Sequence, residues 1–142
     1  MILVDSNLLL YAYDASSPHH RRARPWLERV FGGEESVRLA LLSVLAFLRI
    51  STNRAVFRRP LRPSDAIAIV TSWLELPAVA LAEPTDRHWS LLASLARSGQ
   101  ARGPLLMDAH LAALATEHGA TLCTTDRDFG RFPNLRFTNP LD

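Results

Sequence analysis

The sequence predicts an α/β layer fold with a mostly parallel sheet, because short apolar segments alternate with segments of helical length and pattern. The 142 residues are the size of one domain, and we expect a single domain over 1–142. A hydrophobic content of 48% supplies a sizeable core. Sheets of this class bind ligands beyond the carboxyl ends of their strands. Functional side chains are therefore expected just after the predicted strands.

The first half of the chain is predicted to hold two strands and three helices. The opening "MILV" has the apolar character of a buried strand, "DASSPHH" ends the helix that follows, and Gly32-Gly33 end the next one. In chain order we expect a strand over 1–4, helices over 6–13 and 20–31, a strand over 37–41 and a helix over 43–53.

The second half is predicted to hold three helices and three short strands. Pro77 stops the first of these helices, and Gly119 ends the last one, which has an apolar stripe. The basic segment "FRRPLRPSD" and the flexible "SGQARGP" connect elements. We expect helices over 66–76, 86–97 and 106–118, and strands over 79–82, 121–124 and 136–138.

The composition excludes several classes of mechanism. All sixteen basic residues are arginine, so no mechanism that requires a catalytic lysine is available. The one cysteine excludes an internal disulfide or a cysteine-based zinc site, and it fits a reducing cytoplasm. The N-terminus lacks the basic region of a secretory signal, and the longest apolar run, 39–48, is too short to span a bilayer. We therefore expect a cytoplasmic protein without a membrane partner.

Aspartates follow two of the predicted strands. Asp5 comes directly after the strand at 1–4, and Asp126 and Asp128 follow the strand at 121–124. Asp108 opens the helix that leads into that second strand, and a helix joined to a parallel strand by a tight turn runs antiparallel to it. If the strands at 1–4 and 121–124 are parallel neighbours, Asp5, Asp108 and Asp126 converge at one edge of the sheet.

Each of these aspartates has a structural alternative. Asp5 and Asp108 are suitable helix N-caps, and Asp126 and Asp128 are suitable turn residues. Capping does not explain why all four fall on one edge, where carboxylates raise one another's pKa unless a cation neutralises them. Oxygen ligands without a nearby histidine favour Mg²⁺ or Mn²⁺ over zinc.

A divalent ion at such an edge activates water and stabilises charge on a phosphoryl group, so phosphodiester cleavage is the expected chemistry. A basic rim for a nucleic acid is predicted at Arg49, Arg54, Arg58 and Arg59, with Arg62 nearby. The alternative is a solvated basic loop.

The other candidates are predicted to pack rather than to bind. His88 shows no ligand spacing, and His110 lies on a different helical face from Asp108. Trp26, Trp73 and Trp89 are predicted as core or interface anchors.

Three segments carry a resemblance to a known family: "ILVDSNLLLYAYD", "FLRISTNRAVF" and "DAHLAALATEHGATLCTTDRDFGRFPNLRFTNPL". They resemble the PIN-domain ribonucleases and, more closely, the VapC toxins of bacterial toxin–antitoxin pairs. The last segment is the most specific, because an aspartate-led helix, a glycine stop, a strand and "TxDxDF" occur in fixed order. The resemblance implies a three-layer α/β/α sandwich and an endoribonuclease dependent on Mg²⁺ or Mn²⁺. The implied partners are RNA, a small VapB-like antitoxin and a second copy of the chain.

The resemblance also implies roles for residues. The family's acids fall on Asp5, Asp108, Asp126 and Asp128, with Asn7 as the polar companion of the first. We hypothesise that the first three hold the ion, that Asp128 tunes it or positions water, and that in-line attack by water leaves a 5′-phosphate and a 3′-hydroxyl.

One position departs from the family. The glutamate that the family carries on its third helix is missing, because Val44 and Ala46 occupy the corresponding places. A weakly active or inactive binding module on the same fold is therefore one alternative. A phosphotransfer domain is another, and the absence of lysine disfavours it.

Overall fold

A five-stranded sheet lies at the centre of the computed structural model, which describes residues 1–142. The strands are β1 Ile2–Val4, β2 Val37–Ala40, β3 Val79–Ala82, β4 Thr121–Cys123 and β5 Phe137–Thr138. They lie in the order β3-β2-β1-β4-β5, and every neighbouring pair is parallel. The predicted parallel sheet is confirmed, and all of its strands end at one edge, which we call the carboxyl edge.

Six α-helices and one short 3₁₀ helix complete the fold. They are α1 Ser6–Tyr13, α2 His20–Phe31, α3 Leu41–Ser51, α4 Pro63–Leu74, α5 His88–Ser98, α6 Leu105–Glu117 and the 3₁₀ helix Arg127–Arg131. The start predicted for α4 was three residues late, because Pro63 occupies the first turn, where a missing amide hydrogen costs nothing. No helix combines the length and apolar character needed to span a membrane.

The two faces of the sheet carry separate hydrophobic cores. Ile2 and Val4 of β1 pack with Phe47 and Trp73 on one face, whereas Leu3 belongs to a second core on the other face. This alternation is what strand geometry requires. Helices α1 to α4 supply the first core, and α5 and the alanine-rich α6 supply the second. The predicted three-layer α/β/α sandwich is therefore confirmed.

The three tryptophans have different environments. Trp26 and Trp73 are buried in the first core, and Trp73 Nε1 donates a hydrogen bond to the Tyr13 hydroxyl at 3.1 Å. Trp89 is 74% exposed at the start of α5. The prediction of a core position is confirmed for the first two and wrong for Trp89, for which only the interface alternative stays open.

The pairing of β1 with β4 fixes the position of the carboxyl edge. Leu3 pairs with Leu122 and Val4 with Cys123, so the first and fourth strands are parallel neighbours, as the convergence of the aspartates requires. The Asp5 amide donates to the Cys123 carbonyl at 3.0 Å and extends this ladder one residue beyond β1. Residues 5 and 124 therefore lie side by side.

Gly119 allows the tight reversal between α6 and β4. Its φ is +66°, in the left-handed region, and a Cβ built there would meet no atom within 4 Å. The constraint at this position is thus conformational rather than steric. It sets the direction of α6, which returns from the carboxyl edge before β4 begins.

We expect Gly119→Ala to lower the free energy of unfolding by about 1 kcal/mol, because alanine resists the left-handed conformation. Gly119→Asn should cost less, since asparagine tolerates that region better. Urea denaturation monitored by circular dichroism measures both. Gly130→Ala is the control, because its Cβ would make only ordinary contact, 3.7 Å from the Phe137 ring. Equal losses at positions 119 and 130 would contradict this account.

Candidate active site

Asp5 lies at the carboxyl edge and joins two elements. Its Oδ1 accepts a hydrogen bond from the Ser6 amide at 2.7 Å, which caps α1, and its Oδ2 accepts one from the Thr124 hydroxyl at 2.8 Å. The capping alternative therefore holds for Asp5, but capping uses only one of the two oxygens. Burial raises the pKa of Asp5 above its ordinary value, although these hydrogen bonds oppose the rise, and the charge of Asp126 adds to it.

The buried Thr124 hydroxyl connects Asp5 to the second acidic segment. Besides donating to Asp5, it accepts a hydrogen bond from the Asp126 amide at 3.0 Å. Asp126 in turn caps the 3₁₀ helix, because its Oδ1 accepts a hydrogen bond from the Asp128 amide at 2.8 Å. Sequence reasoning assigned no role to Thr124, although the threonine of "TxDxDF" was a visible signal.

Asn7 lies beside the Thr124 hydroxyl that connects Asp5 to Asp126, as its predicted supporting role requires. Its Nδ2 donates to the Thr125 hydroxyl at 2.9 Å, and a longer contact of 3.4 Å reaches Thr124. Its Oδ1 is buried and accepts no hydrogen bond within the protein. A buried carbonyl oxygen without a partner costs free energy unless water or a cation satisfies it.

Asp108 lies in the first turn of α6 rather than at its cap. The helix begins at Leu105, and Pro104 occupies the cap position without a side-chain hydrogen bond. The alternative that Asp108 serves as the N-cap is therefore excluded, and its predicted place near the start of this helix is confirmed. The carboxylate of Asp108 makes no hydrogen bond that would explain its position structurally.

The electrostatics show that the four acids share one edge. The pKa of Asp108 is raised to about 6, first by burial and then by the negative charges of Asp126, Asp5 and Asp128 in that order of strength. Arg131 opposes this rise only weakly. A cluster of carboxylates with so little compensating positive charge favours a bound cation.

The donor set fits a hard divalent ion, although its side chains do not yet converge on one point. No three acidic, histidine or cysteine side chains lie close enough together to share an ion in this arrangement. Asp126 is partly exposed and Asp128 is exposed, so both carboxylates are accessible from solvent. The available donors are carboxylate oxygens and the unpaired Asn7 Oδ1, which are the ligand types of Mg²⁺ and Mn²⁺.

Helix α3 supplies no carboxylate to this edge. Val44 is buried and Ala46 is partly buried, so the departure seen in the sequence is present in the structure. Glu35 contacts the Met1 amino group at 3.2 Å, at the opposite end of β1, and therefore does not substitute. Near the start of α3 the Ser43 hydroxyl is buried and unpaired, which places a neutral polar group just beyond the carboxyl end of β2.

The predicted arginine rim is exposed, but Arg58 and Arg59 lie to one side of the acidic residues. Arg49, Arg54, Arg58 and Arg59 are all exposed. Arg58 and Arg59 line an open cleft of about 390 Å³ with the residues that follow α1. Because α1 is eight residues long, its two ends are about 12 Å apart, and Asp5 caps the far end. A role of these arginines in RNA binding stays a prediction.

A buried histidine–glutamate chain was missed by sequence reasoning. His88 Nδ1 lies 2.6 Å from Glu117 Oε2, and His88 Nε2 lies 2.9 Å from His110 Nδ1. Glu117 Oε1 also accepts a hydrogen bond from the Thr85 amide at 2.6 Å. The sequence analysis found no ligand spacing for His88 and did not anticipate this chain, for which the seven-residue spacing of His110 and Glu117 on one helix face was the available signal. These bonds fasten the start of α5 to α6.

The comparisons with known proteins identify the family. A model of the PIN domain matches residues 2–135. Ribonuclease VapC37 of Mycobacterium tuberculosis (strain ATCC 25618 / H37Rv) is 41% identical over 140 residues, covering 99% of this chain and 97% of the relative. VapC ribonuclease Mb2897 of Mycobacterium bovis (strain ATCC BAA-935 / AF2122/97) is 41% identical over 142 residues, covering 100% and 97%. The chain belongs to the PIN domain family and, within it, to the VapC group.

Solved structures share the fold. VapBC2 from Rickettsia felis, bound to a DNA fragment, superposes with a TM-score of 0.70 at 16% identity over 98% of each chain. VapC20 of Mycobacterium tuberculosis, a toxin that cleaves the sarcin–ricin loop, superposes with a TM-score of 0.66 at 19% identity. That match covers 96% of this chain and 99% of VapC20.

We expect Asp108→Asn to raise the free energy of unfolding of the metal-free protein by about 1 kcal/mol at pH 7.5, after allowance for solvent screening. The folded-state pKa of Asp108 is about 6 against an ordinary 3.8, so the wild type loses stability as pH rises through this window. The difference in stability between the variant and the wild type should vanish below pH 3.8, because Asp108 is then protonated in both the folded and the unfolded state. Urea titrations with chelator at both ends of the window measure it, and Asp86→Asn, an exposed carboxylate without contacts, is the control. A destabilised Asp108→Asn would indicate a structural role.

We expect Glu117→Gln to lower the free energy of unfolding by about 2 kcal/mol at neutral pH, because a buried charge-assisted hydrogen bond to His88 is lost. Burial opposes ionisation, yet the bonds from Thr85 and His88 hold the pKa of Glu117 below its ordinary 4.5. The loss should therefore shrink as pH falls below about 4.5. Thermal denaturation against pH measures it, with the exposed Glu34→Gln as control. A loss that does not change with pH would contradict the ion-pair account.

Proposed function

We propose that this protein is an endoribonuclease that depends on Mg²⁺ or Mn²⁺ and acts as the toxin of a toxin–antitoxin pair. The observation that carries the proposal is that Asp5, Asp108 and Asp126 lie at the same carboxyl edge, near enough for their charges to interact, with little compensating positive charge. Proteins rarely keep such repulsion without a functional reason, since it lowers the stability of the fold.

Each acid has a distinct part in this proposal. Asp5, held on one side by Ser6 and on the other by Thr124, is the fixed ligand. Asp108 and Asp126 complete the set of metal ligands, and the exposed Asp128 adds charge and orients water. When bound, the ion would activate water and stabilise charge on a phosphate. The raised pKa of Asp108 means that this site binds cations better above about pH 6 than below it.

The relatives support the substrate and the partner. VapC37 and Mb2897 are named ribonucleases, and VapC20 is a toxin that cleaves the sarcin–ricin loop. A toxin–antitoxin complex from Klebsiella pneumoniae superposes on this chain with a TM-score of 0.68 at 16% identity. From these likenesses we propose RNA as the substrate and a small antitoxin protein as the partner.

A second candidate rests on one observation. The apolar Val44 and Ala46 remove a carboxylate that the resemblance leads one to expect on α3. A site with fewer carboxylates binds its ion more weakly, so a binding module with little catalysis is the alternative. Ribonuclease activity against metal concentration separates the two, because a weak site still saturates whereas an inactive module never cleaves.

Purified protein is expected to cleave total bacterial RNA with Mg²⁺ or Mn²⁺ and to stop when chelator is added. Asp108→Asn should reduce the rate at least about 100-fold, since even outer-shell changes cost 10–100-fold. Thr124→Val should reduce it less, because Asp5 keeps its cap but loses its second hydrogen bond.

The exposed Asp86→Asn is the matched control and should cleave like the wild type. Expression of the chain alone should arrest growth, and expression of Asp108→Asn should not. Cleavage that persists in chelator, or in a folded Asp108→Asn protein, would contradict the proposed mechanism.

A further inference from the structure

A polar groove runs along α2, and two side chains of the first core, Trp26 and Leu141, contribute to its lining. It consists of two adjoining clefts of about 490 and 390 Å³ that share Arg21, Arg22, Leu141 and Asp142. His19 and Asn139 lie in the first cleft, and Arg29 lies in the second. We call this feature the α2 groove. Three arginines face one carboxylate in it, so its net charge is positive.

Two of the groove's arginines have no partner within the protein. Arg22 donates a hydrogen bond from NH1 to the Leu141 carbonyl at 2.9 Å and so anchors the segment after β5. Arg21 and Arg29 are exposed and make no hydrogen bond or ion pair. They lie eight residues apart on α2, about 12 Å along the helix axis. Unpaired guanidinium groups placed along one helix in this way suit non-adjacent phosphates of an extended strand.

The groove begins beside the acidic cluster. Asn139 directly follows Thr138, whose carbonyl accepts a hydrogen bond from the Thr124 amide at 3.0 Å. The Thr124 side chain is the one that joins Asp5 to Asp126. Asn139, which lines the first cleft, therefore lies where β5 ends, at the same carboxyl edge that carries the proposed metal ligands.

The chemistry of the groove favours a polyanion over a protein segment. A separate groove of about 250 Å³ on another side of α2 is mostly apolar and is lined by Tyr13, Leu27, Phe31 and Trp73. Its arginine, Arg24, is already paired with Glu28 and lies 4.6 Å from the centre of the Tyr13 ring. The α2 groove has the opposite character, with free charge and few apolar atoms.

We propose that the α2 groove binds the backbone phosphates of the RNA substrate and guides the strand to the carboxyl edge. This inference rests on the proposed ribonuclease function and adds the surface that holds the substrate. Arg21 and Arg29 are the phosphate-binding residues, and Arg22 positions the segment that forms the opposite wall.

The test is the binding of a short fluorescein-labelled single-stranded RNA, followed by anisotropy in chelator so that no cleavage occurs. Arg21→Gln with Arg29→Gln should weaken binding at least 10-fold at low salt and lower the salt slope by about 1.4, since each phosphate contact in single strands contributes about 0.7. Arg21→Lys with Arg29→Lys should retain most of the affinity. With Mg²⁺ present, the glutamine pair should raise KM and leave kcat unchanged.

Two charge-matched pairs serve as controls. Arg97 and Arg102 are exposed, make no polar contact and line neither cleft, so Arg97→Gln with Arg102→Gln should change affinity less than 2-fold. Arg58→Gln with Arg59→Gln tests the rim predicted from the sequence. Unchanged RNA binding by the Arg21/Arg29 pair, or equal losses in all three pairs, would overturn the inference. Unchanged binding would instead favour an acidic protein segment as the occupant. A wild type that binds RNA but never cleaves it would count against the proposed function alone.

Discussion

The parallel pairing of β1 with β4 is the constraint on which the rest of the structure depends. It joins the first residues of the chain to residues near 122, and it places Asp5 beside Thr124 where both strands end. A slip of one residue would turn every β4 side chain to the opposite face and separate the two hydrogen-bonded groups. The two hydrophobic cores, one on each face of the sheet, fix that register because Leu3 and Val4 belong to different cores.

The carboxyl edge combines rigid and adjustable parts. Asp5 and Thr124 are buried and mutually hydrogen-bonded, whereas Asp108 and Asp126 are partly exposed and Asp128 is exposed. The buried pair of Asp5 and Thr124 would define where an ion binds. The more exposed carboxylates would allow water and substrate to enter and leave. Repulsion among these groups lowers the stability of the fold, and a bound cation would relieve it, so metal binding at this edge would be coupled to folding stability.

Most of the fold and the acidic cluster were predictable from the sequence, because both depend on local patterns. The apolar strands, the glycines that end helices and the order of the elements predicted the parallel sheet. The aspartates that follow strands predicted the acidic cluster at its carboxyl edge. The errors occurred where the outcome depends on contacts between distant elements. The bond between His88 and Glu117 was missed because it forms only where α5 packs on α6. The α2 groove was unpredictable for the same reason, since its second wall comes from the segment after β5.

Direct titration of Mn²⁺ into the metal-free protein, followed by calorimetry, tests the central claim most directly. The account predicts saturable binding to the wild type and affinities at least about 10-fold weaker in Asp5→Asn and Asp126→Asn. Thr124→Ser, which keeps the hydroxyl, should bind like the wild type. A wild type that binds no Mn²⁺, or aspartate variants that bind it as tightly as the wild type, would contradict the claim that these carboxylates form a metal site.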